Sequence, residues 1–338
     1  METTLRYGLV GCGSFGNVHL STLTKIPGTK MEALCDIHPE SCRLLKERYG
    51  LTDVRCYTDY REMLEKEDLD IVSVVTADKA HCGVTVAALE AGCHVICEKP
   101  MSLFTEECVE MVKKAEEKGK LLMVGQVCRC APGFVKAREL VEEGAIGELY
   151  YVESEYAHDY TNIKGVDNWR VDPDREPIIG GACHAIDLLR WIAGDPVETT
   201  AYSNHKVLTD WPVDDTTIAI FRFPNQVIGK VFTSIGCKRN YTMRTVLYGT
   251  RGTIIVNNTD PELELFTLQE DGRSAGQKLP LEINNHNVQA EHETFRDAVL
   301  HGTPLVTTGR EGARTVAVCR AVVESAESGR SVTIAYPV

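Results

Sequence analysis

Short apolar runs alternate with stretches of helical periodicity through the first 125 residues. Leu5 to Val10, Met31 to Cys35, Val54 to Tyr57, Asp70 to Val75, His94 to Cys97 and Leu121 to Gly125 read as strands. The stretch through Leu20 and Leu23 and the segments Pro39 to Tyr49, Tyr60 to Glu65, His81 to Ala91 and Thr105 to Lys118 read as helices. Strands separated in this way predict parallel neighbours joined by right-handed crossovers, hence an α/β, doubly wound Rossmann sheet. Beyond Gly125 the pattern changes. A helix, Phe134 to Glu143, precedes strand-like segments at Leu149 to Tyr156, Thr199 to His205, Thr216 to Phe223, Val227 to Ile235, Met243 to Tyr248 and Gly252 to Val256. These predict an α+β region with a large, mostly antiparallel, open sheet. Two late helices, Val288 to His301 and Gly312 to Ser328, read as closing elements. The predicted division is a dinucleotide-binding domain over residues 1–125 and a second domain over 126–338.

The length, 338 residues, gives each domain room for a sizeable core. The composition, 43% hydrophobic and 25% charged, is that of a soluble globular protein. A net charge of -13 argues against wholesale binding to nucleic acid or an anionic membrane, both of which need a cationic face. No apolar run approaches the ~20 residues that span a bilayer. Thirteen cysteines lie scattered, without a Cys-x-x-Cys pair or a secretory leader, so a reducing, cytoplasmic setting is expected. Cys128 and Cys130 alternate as on one face of a strand, and no metal is expected there.

Candidate chemistry begins directly after the first strand. Gly11-Cys12-Gly13-Ser14-Phe15-Gly16 supplies glycines for a tight turn, for close approach of backbone to a pyrophosphate, and for close packing of helix on strand. Asp36 ends the second strand twenty residues beyond Gly16. A carboxylate there accepts from both ribose hydroxyls of NAD and repels the 2'-phosphate of NADP. Two charges about 4 Å apart interact by roughly 4 kcal/mol at an effective dielectric of about 20, which favours NAD. Arg43, one turn inside the following helix, leaves some room for NADP.

His94-Val95-Ile96-Cys97-Glu98-Lys99-Pro100 ends an apolar strand in an ion pair and a proline. This sets Lys99 at the carboxyl end of the sheet, where open parallel sheets bind their ligands. In the second region one segment departs from sheet character, Gly180-Gly181-Ala182-Cys183-His184-Ala185-Ile186-Asp187. His184 and Asp187 are three apart and share a face if helical. A lone histidine on such a helix is more often structural, but two preceding glycines suggest close approach of the backbone to something bound.

Three motifs together resemble the glucose-fructose oxidoreductase, inositol dehydrogenase and rhizopine catabolism (Gfo/Idh/MocA) family. They are the glycine loop, His81 with Ala87-Ala88-Leu89-Glu90-Ala91-Gly92-Cys93-His94-Val95, and Cys97-Glu98-Lys99-Pro100. The resemblance implies an NAD(P)-dependent dehydrogenase oxidising a secondary hydroxyl of a sugar, glycoside or cyclitol. It also implies a homodimer or homotetramer built on the second sheet, where Ile218 and Ile220 suit either an oligomer face or the core. Ser14, Phe15, Thr76, His81, Glu98 and Lys99 are implied around the cofactor. Arg129, Tyr160, Trp169, His184 and Asp187 are implied around the substrate. A cis Lys99-Pro100 bond is implied as well.

Removing hydride from an alcohol carbon requires that the hydroxyl proton also leave. An unperturbed imidazole titrates near ~6.5 and a lysine near ~10.4, so His184 is read as the acid/base and Lys99 as the charge-stabilising partner, with the reverse division left open. Three departures from the family stand out. Ala77-Asp78 replaces a common Pro-Asn, Cys128 stands where some members carry an arginine, and Gly180 replaces an aspartate four residues before the histidine. Asp187 or Asp159 then becomes the candidate carboxylate. Two other functions fit the same residues: a glycosidase or lyase that oxidises its substrate only transiently, and a non-catalytic NAD(P) sensor, against which the presence of both Lys99 and His184 argues.

Overall fold

The computed structural model describes residues 4–284 and 286–338. It resolves into two compact units. The first comprises residues 1–126 and 288–313 with residue 338; the second comprises 127–287 and 314–337. The division is therefore interrupted, and a single cut near residue 125 does not describe it.

In the first unit, β1 (Leu5–Val10), α1 (Ser14–Leu23), β2 (Thr29–Cys35), α2 (Pro39–Arg48), β3 (Arg55–Tyr57), α3 (Tyr60–Lys66), β4 (Ile71–Val74), α4 (His81–Glu90), β5 (His94–Cys97), α5 (Thr105–Lys118) and β6 (Leu122–Val124) alternate as the pattern predicts. The six strands are parallel in the order β3-β2-β1-β4-β5-β6. The order reverses between β1 and β4, so a crevice opens at their carboxyl ends, beside the glycine loop. The strands read as near-continuous apolar runs because both faces are covered. Tyr7, Ile71, Ile96 and Met123 pack with Phe295, so a helix from the end of the chain closes one face of this sheet.

In the second unit, α6 (Pro132–Glu142), β7 (Leu149–Ala157), α7 (Pro177–Gly180) and α8 (Cys183–Ala193) precede the strands β8 (Glu198–Asn204), β9 (Thr216–Arg222), β10 (Ile228–Ser234), β11 (Thr242–Gly249), β12 (Gly252–Asn257), β13 (Glu262–Leu268) and β14 (Ser274–Pro280). After α9 (Val288–His301) and α10 (Gly309–Ser328), a short β15 (Val332–Thr333) completes a nine-stranded sheet. Its order is β14-β13-β12-β11-β7-β10-β9-β8-β15, antiparallel except for the β7–β10 pair. Along β9 the burial alternates strictly: Thr217, Ala219 and Phe221 are buried while Ile218 and Ile220 face outward. Those two isoleucines are thus not core residues. Cys128 and Arg129, read as strand, lie in a single 3-10 turn over Val127–Cys130. Pro132 then opens α6. Among the described residues the thirteen cysteines form no disulfide.

Candidate active site

The glycine loop is built as its spacing demands. Gly11 has φ +100°, and a methyl group there would run into the carbonyl of Val75. One at Gly16 would strike the Gly11 carbonyl oxygen, so that glycine lets α1 pack against the β1 turn. Around Gly13 the same methyl would meet nothing within 4 Å. Here the backbone itself is open to a ligand, at the start of a helix whose N-terminus no side chain caps.

Asp36 is held at the end of β2. One carboxylate oxygen accepts from the Cys12 N–H at 2.7 Å and the other from the His38 N–H at 2.9 Å. The charge is thereby fixed beside the loop, with lone pairs remaining for two hydroxyls. Together these features fit NAD: Gly13, Ser14 and the α1 N-terminus for the pyrophosphate, and Asp36 for the ribose.

The loop after β4 is tied to the loop after β5 by His81, which is fully buried. Nδ1 lies 2.8 Å from the Pro100 carbonyl oxygen and Nε2 3.2 Å from that of Thr76. Both partners are acceptors only, so both bonds can form only when the ring carries two N–H groups. Burial pushes this imidazole down, but the adjoining Cys97, Asp78 and Pro100 carbonyl outweigh it and raise it to about 10. His81 was expected to touch the cofactor. Its nitrogens are spent on protein carbonyls, and it shapes the loops instead. The Lys99–Pro100 peptide between them is cis.

Lys99 follows β5 and is partly buried, whereas Glu98 is only 6% exposed. The Glu98 carboxylate accepts from the Lys99 backbone N–H at 3.2 Å and from His19 Nε2 at 3.1 Å. Glu98, also expected at the cofactor, is buried with its carboxylate on these two partners. Sequence reasoning missed three buried residues of this unit: His19, His292 and Gln126. The side-chain oxygen of Gln126, just after β6, is buried with no hydrogen-bond partner.

In the second unit α8 carries His184, which is 1% exposed, one turn from Asp187. Asp187 had been expected to meet a substrate hydroxyl or the imidazole, and Arg129 an anionic group. Both are buried against each other. Arg129 donates to Asp187 through Nε at 2.7 Å and Nη2 at 2.9 Å, and the Thr315 hydroxyl adds a third bond at 2.9 Å. A carboxylate so paired fixes α8 in place and has little capacity left for a substrate.

The two glycines before His184 also have a different cause. A methyl at Gly180 would run into the Arg175 guanidinium, which donates to the Gly180 carbonyl at 2.8 Å, and one at Gly181 would lie 2.6 Å from the Tyr156 ring. What approaches this backbone closely is protein. The aspartate of other members has no space here unless Arg175 moves.

Tyr160 is buried, its hydroxyl 2.8 Å from that of Tyr156, and Trp169 is packed against the guanidinium groups of Arg170 and Arg175 at 4.4 and 5.0 Å. Asp159 accepts from Lys238 and Thr161. The ring contacts that start from His184 run through His286 and Tyr241, which the sequence did not single out, to His158, which belongs to the same polar, aromatic stretch as Tyr160 and Trp169. The His286 ring lies 6.2 Å from that of His184, Tyr241 is edge-on to His286, and His158 stacks on Tyr241 at 4.4 Å. Burial pushes the Tyr156 and Tyr241 phenols well up, which keeps them as neutral hydrogen-bonding groups. No signal of spacing links positions 158, 184, 241 and 286; only the sheet brings them together. Among the described residues, no group of three or more histidine, cysteine, aspartate or glutamate side chains is placed to hold a metal. Nor is any helix long and apolar enough to cross a membrane.

A six-stranded parallel sheet with a glycine loop at its reversal point is the dinucleotide-binding arrangement of NAD-dependent dehydrogenases, the class to which this chain's relatives belong. The chain belongs to the Gfo/Idh/MocA family: residues 5–126 match its oxidoreductase, NAD-binding Rossmann-fold domain and residues 134–255 its C-terminal domain. It is 27% identical to a myo-inositol 2-dehydrogenase of Thermotoga maritima, over 98% of both chains. It is also 27% identical to a 1,5-anhydro-D-fructose reductase of Ensifer adhaerens, over 97% of this chain and 98% of that one. Among solved structures, a levoglucosan dehydrogenase in complex with NADH and L-sorbose shares the fold, with a TM-score of 0.90, 24% identity and coverage of 98% and 99%.

Proposed function

We propose that this protein transfers a hydride between NAD(H) and a secondary hydroxyl or keto group of a sugar, glycoside or cyclitol. The observation that carries this reading is the placement of Lys99. It is a partly buried lysine at the carboxyl end of β5, one strand from the sheet reversal, in a chain that matches cyclitol and sugar oxidoreductases from end to end. When bound, the nicotinamide supplies the hydride acceptor. Gly13, Ser14 and Phe15 line the pyrophosphate and Asp36 holds the ribose. His184 is the acid/base group of the reaction and Lys99 its charge-stabilising group. Tyr241, His158 and His286 give the substrate side its polar aromatic character.

The protein works as an oligomer of identical chains joined through the outer face of the nine-stranded sheet. Tyr202, Ile218, Ile220 and Ile228 stand 71%, 40%, 53% and 57% exposed on neighbouring strands of that face. An apolar surface of this kind is rare on a monomer, and sedimentation velocity reporting a monomer at micromolar concentration would remove the proposal.

The test is a panel of inositols, aldoses and anhydrosugars with NAD, followed by NADH fluorescence. Turnover is expected on at least one. Consumption of a substrate without NADH would replace a net dehydrogenase by transient oxidation, and binding of NADH with no consumption at all would leave a sensor. Lys99→Met is expected to lower kcat by about 10²- to 10⁴-fold, the usual range for loss of a proton- or charge-handling group, while NADH affinity stays within a few-fold. Loss of NADH binding instead would remove Lys99 from the chemistry.

A further inference from the structure

The first unit buries four titratable side chains in one connected cluster. His19 Nε2 lies 3.1 Å from Glu98, and His19 Nδ1 lies 3.0 Å from Nε2 of His292, the two rings meeting edge-on at 90°. His19 and His292 are wholly buried, and Glu291 beside them is 2% exposed. His292 Nδ1 and one Glu291 carboxylate oxygen have no hydrogen-bond partner. Burial holds Glu291 well up, as the neutral acid, and His292 well down, as the neutral base. Burial also opposes charge on Glu98, but His19 and Lys99 outweigh it and keep the carboxyl low. Such a cluster is a costly way to fill space, since an apolar core of the same volume leaves no orphaned polar atom.

The order of the bonds shows what the cluster holds. The Glu98 carboxylate takes a proton only from a donor, so His19 Nε2 is the N–H side whichever charge the ring carries. In the neutral ring, Nδ1 then accepts from the His292 Nε2–H, so Glu98 sets the tautomer of the first imidazole and the first sets that of the second. On the far side Gly125 leaves the room Glu98 needs, because a methyl there would stand 2.7 Å from the carboxylate. The other oxygen of Glu98 takes the Lys99 N–H.

We propose that His19 and His292 are positioning residues: through Glu98 they fix the peptide from which the Lys99 side chain springs, and so the place of its amine. The proposal rests on the assignment of Lys99 to the chemistry. Reacting groups displaced by about 1 Å commonly lose of order a hundredfold in rate, so a support of this kind is read in kcat rather than in cofactor binding.

The test uses the full-length protein with NADH and reductive 13C-methylation of its lysines, the Lys99 signal being identified by its absence in Lys99→Arg. His19→Phe removes the donor but keeps a ring beside Phe15; His19→Gln restores an N–H toward Glu98. The Lys99 methyl resonance is expected to shift or split in His19→Phe and to return in His19→Gln, with NADH affinity within twofold in both. On the substrate found with the panel above, kcat is expected to fall at least tenfold in His19→Phe and to recover to within threefold in His19→Gln. An unmoved resonance in a folded His19→Phe overturns the proposal, as does equal loss in both variants that tracks their melting temperatures. If His19→Phe does not fold, His292→Gln, which keeps a polar side chain in contact with His19, carries the same expectations. The resonance decides the proposal even where no substrate turns over, a result that would count against the functional reading alone.

Discussion

Each unit buries a carboxylate beside its candidate chemistry, and the two are held by different partners. Asp187, wholly buried, is gripped by the two-pronged guanidinium of Arg129 and by Thr315. Glu98 is held by an imidazole and a backbone N–H. A guanidinium is charged at every accessible pH, so the first pair is a fixed girder. The imidazole and the peptide give Glu98 one N–H each, with no bidentate ion pair, so the second is a lighter support. Stability should therefore reside in the first pair and rate in the second.

The largest expected effect breaks the girder. Asp187→Asn leaves the Arg129 guanidinium buried without its anion, and such losses run to about 3–5 kcal/mol. Glu98→Gln removes a charge held by two hydrogen bonds, and should cost about 1–3 kcal/mol. Urea unfolding of both variants ranks them. Should Glu98→Gln prove the more destabilising, the division between girder and support would be wrong.

A middle-sized effect separates His81 from both. Its folded value is raised, to about 10, above an unfolded value near ~6.5. A raised value means that folding takes up the proton. The stabilisation is therefore fully present below about pH 6.5 and is lost as pH climbs through about 10. The stability gap between wild type and His81→Leu, of order a few kcal/mol at pH 6, should shrink steadily toward pH 10. A gap independent of pH would mean that the two carbonyl bonds do not require a second ring proton. Imidazole 15N shifts at pH 7.5 give the same answer directly.

The comparison also explains what could be read from the chain and what could not. The first sheet was legible because each βαβ step is local: the glycine loop, the strand to Cys35 and Asp36 follow one another within a fixed spacing. The partners of that sheet were not. His19 and His292 lie 273 positions apart, and no periodicity joins them. In the second unit β14, with the sequence Ser-Ala-Gly-Gln-Lys-Leu-Pro, is mostly exposed and carries no alternation, so only pairing with β13 makes it a strand. Arg129, Asp187, Tyr160 and Trp169 were expected around the substrate. Their chemistry is satisfied by one another and by neighbours, which a one-dimensional reading cannot see. Gly180 and Gly181 carry the same lesson, since glycine before a histidine signals close approach without saying of what.

The smallest effect concerns Asp36, where the local reading is at its strongest. The residue has one task visible in the structure, where its oxygens receive the Cys12 and His38 N–H groups, and one that belongs to the proposed function, repulsion of a 2'-phosphate. Asp36→Asn and Asp36→Ala separate them. The amide keeps an acceptor and the shape while removing the charge, so the ratio of NADPH to NADH dissociation constants should fall roughly tenfold, about 1.4 kcal/mol, well under the roughly 4 kcal/mol of an unscreened pair. NADH affinity itself should weaken a few-fold, because the amide NH2 meets one of the two N–H groups that the carboxylate receives. The alanine variant also frees the loop N–H of Cys12, so it should narrow the ratio similarly while weakening NADH more. Fluorescence titration with both cofactors reads these quantities. A ratio unchanged in Asp36→Asn would show that selectivity comes from elsewhere, with Arg43, salt-bridged to Glu40 and Glu47 on α2, the next residue to examine.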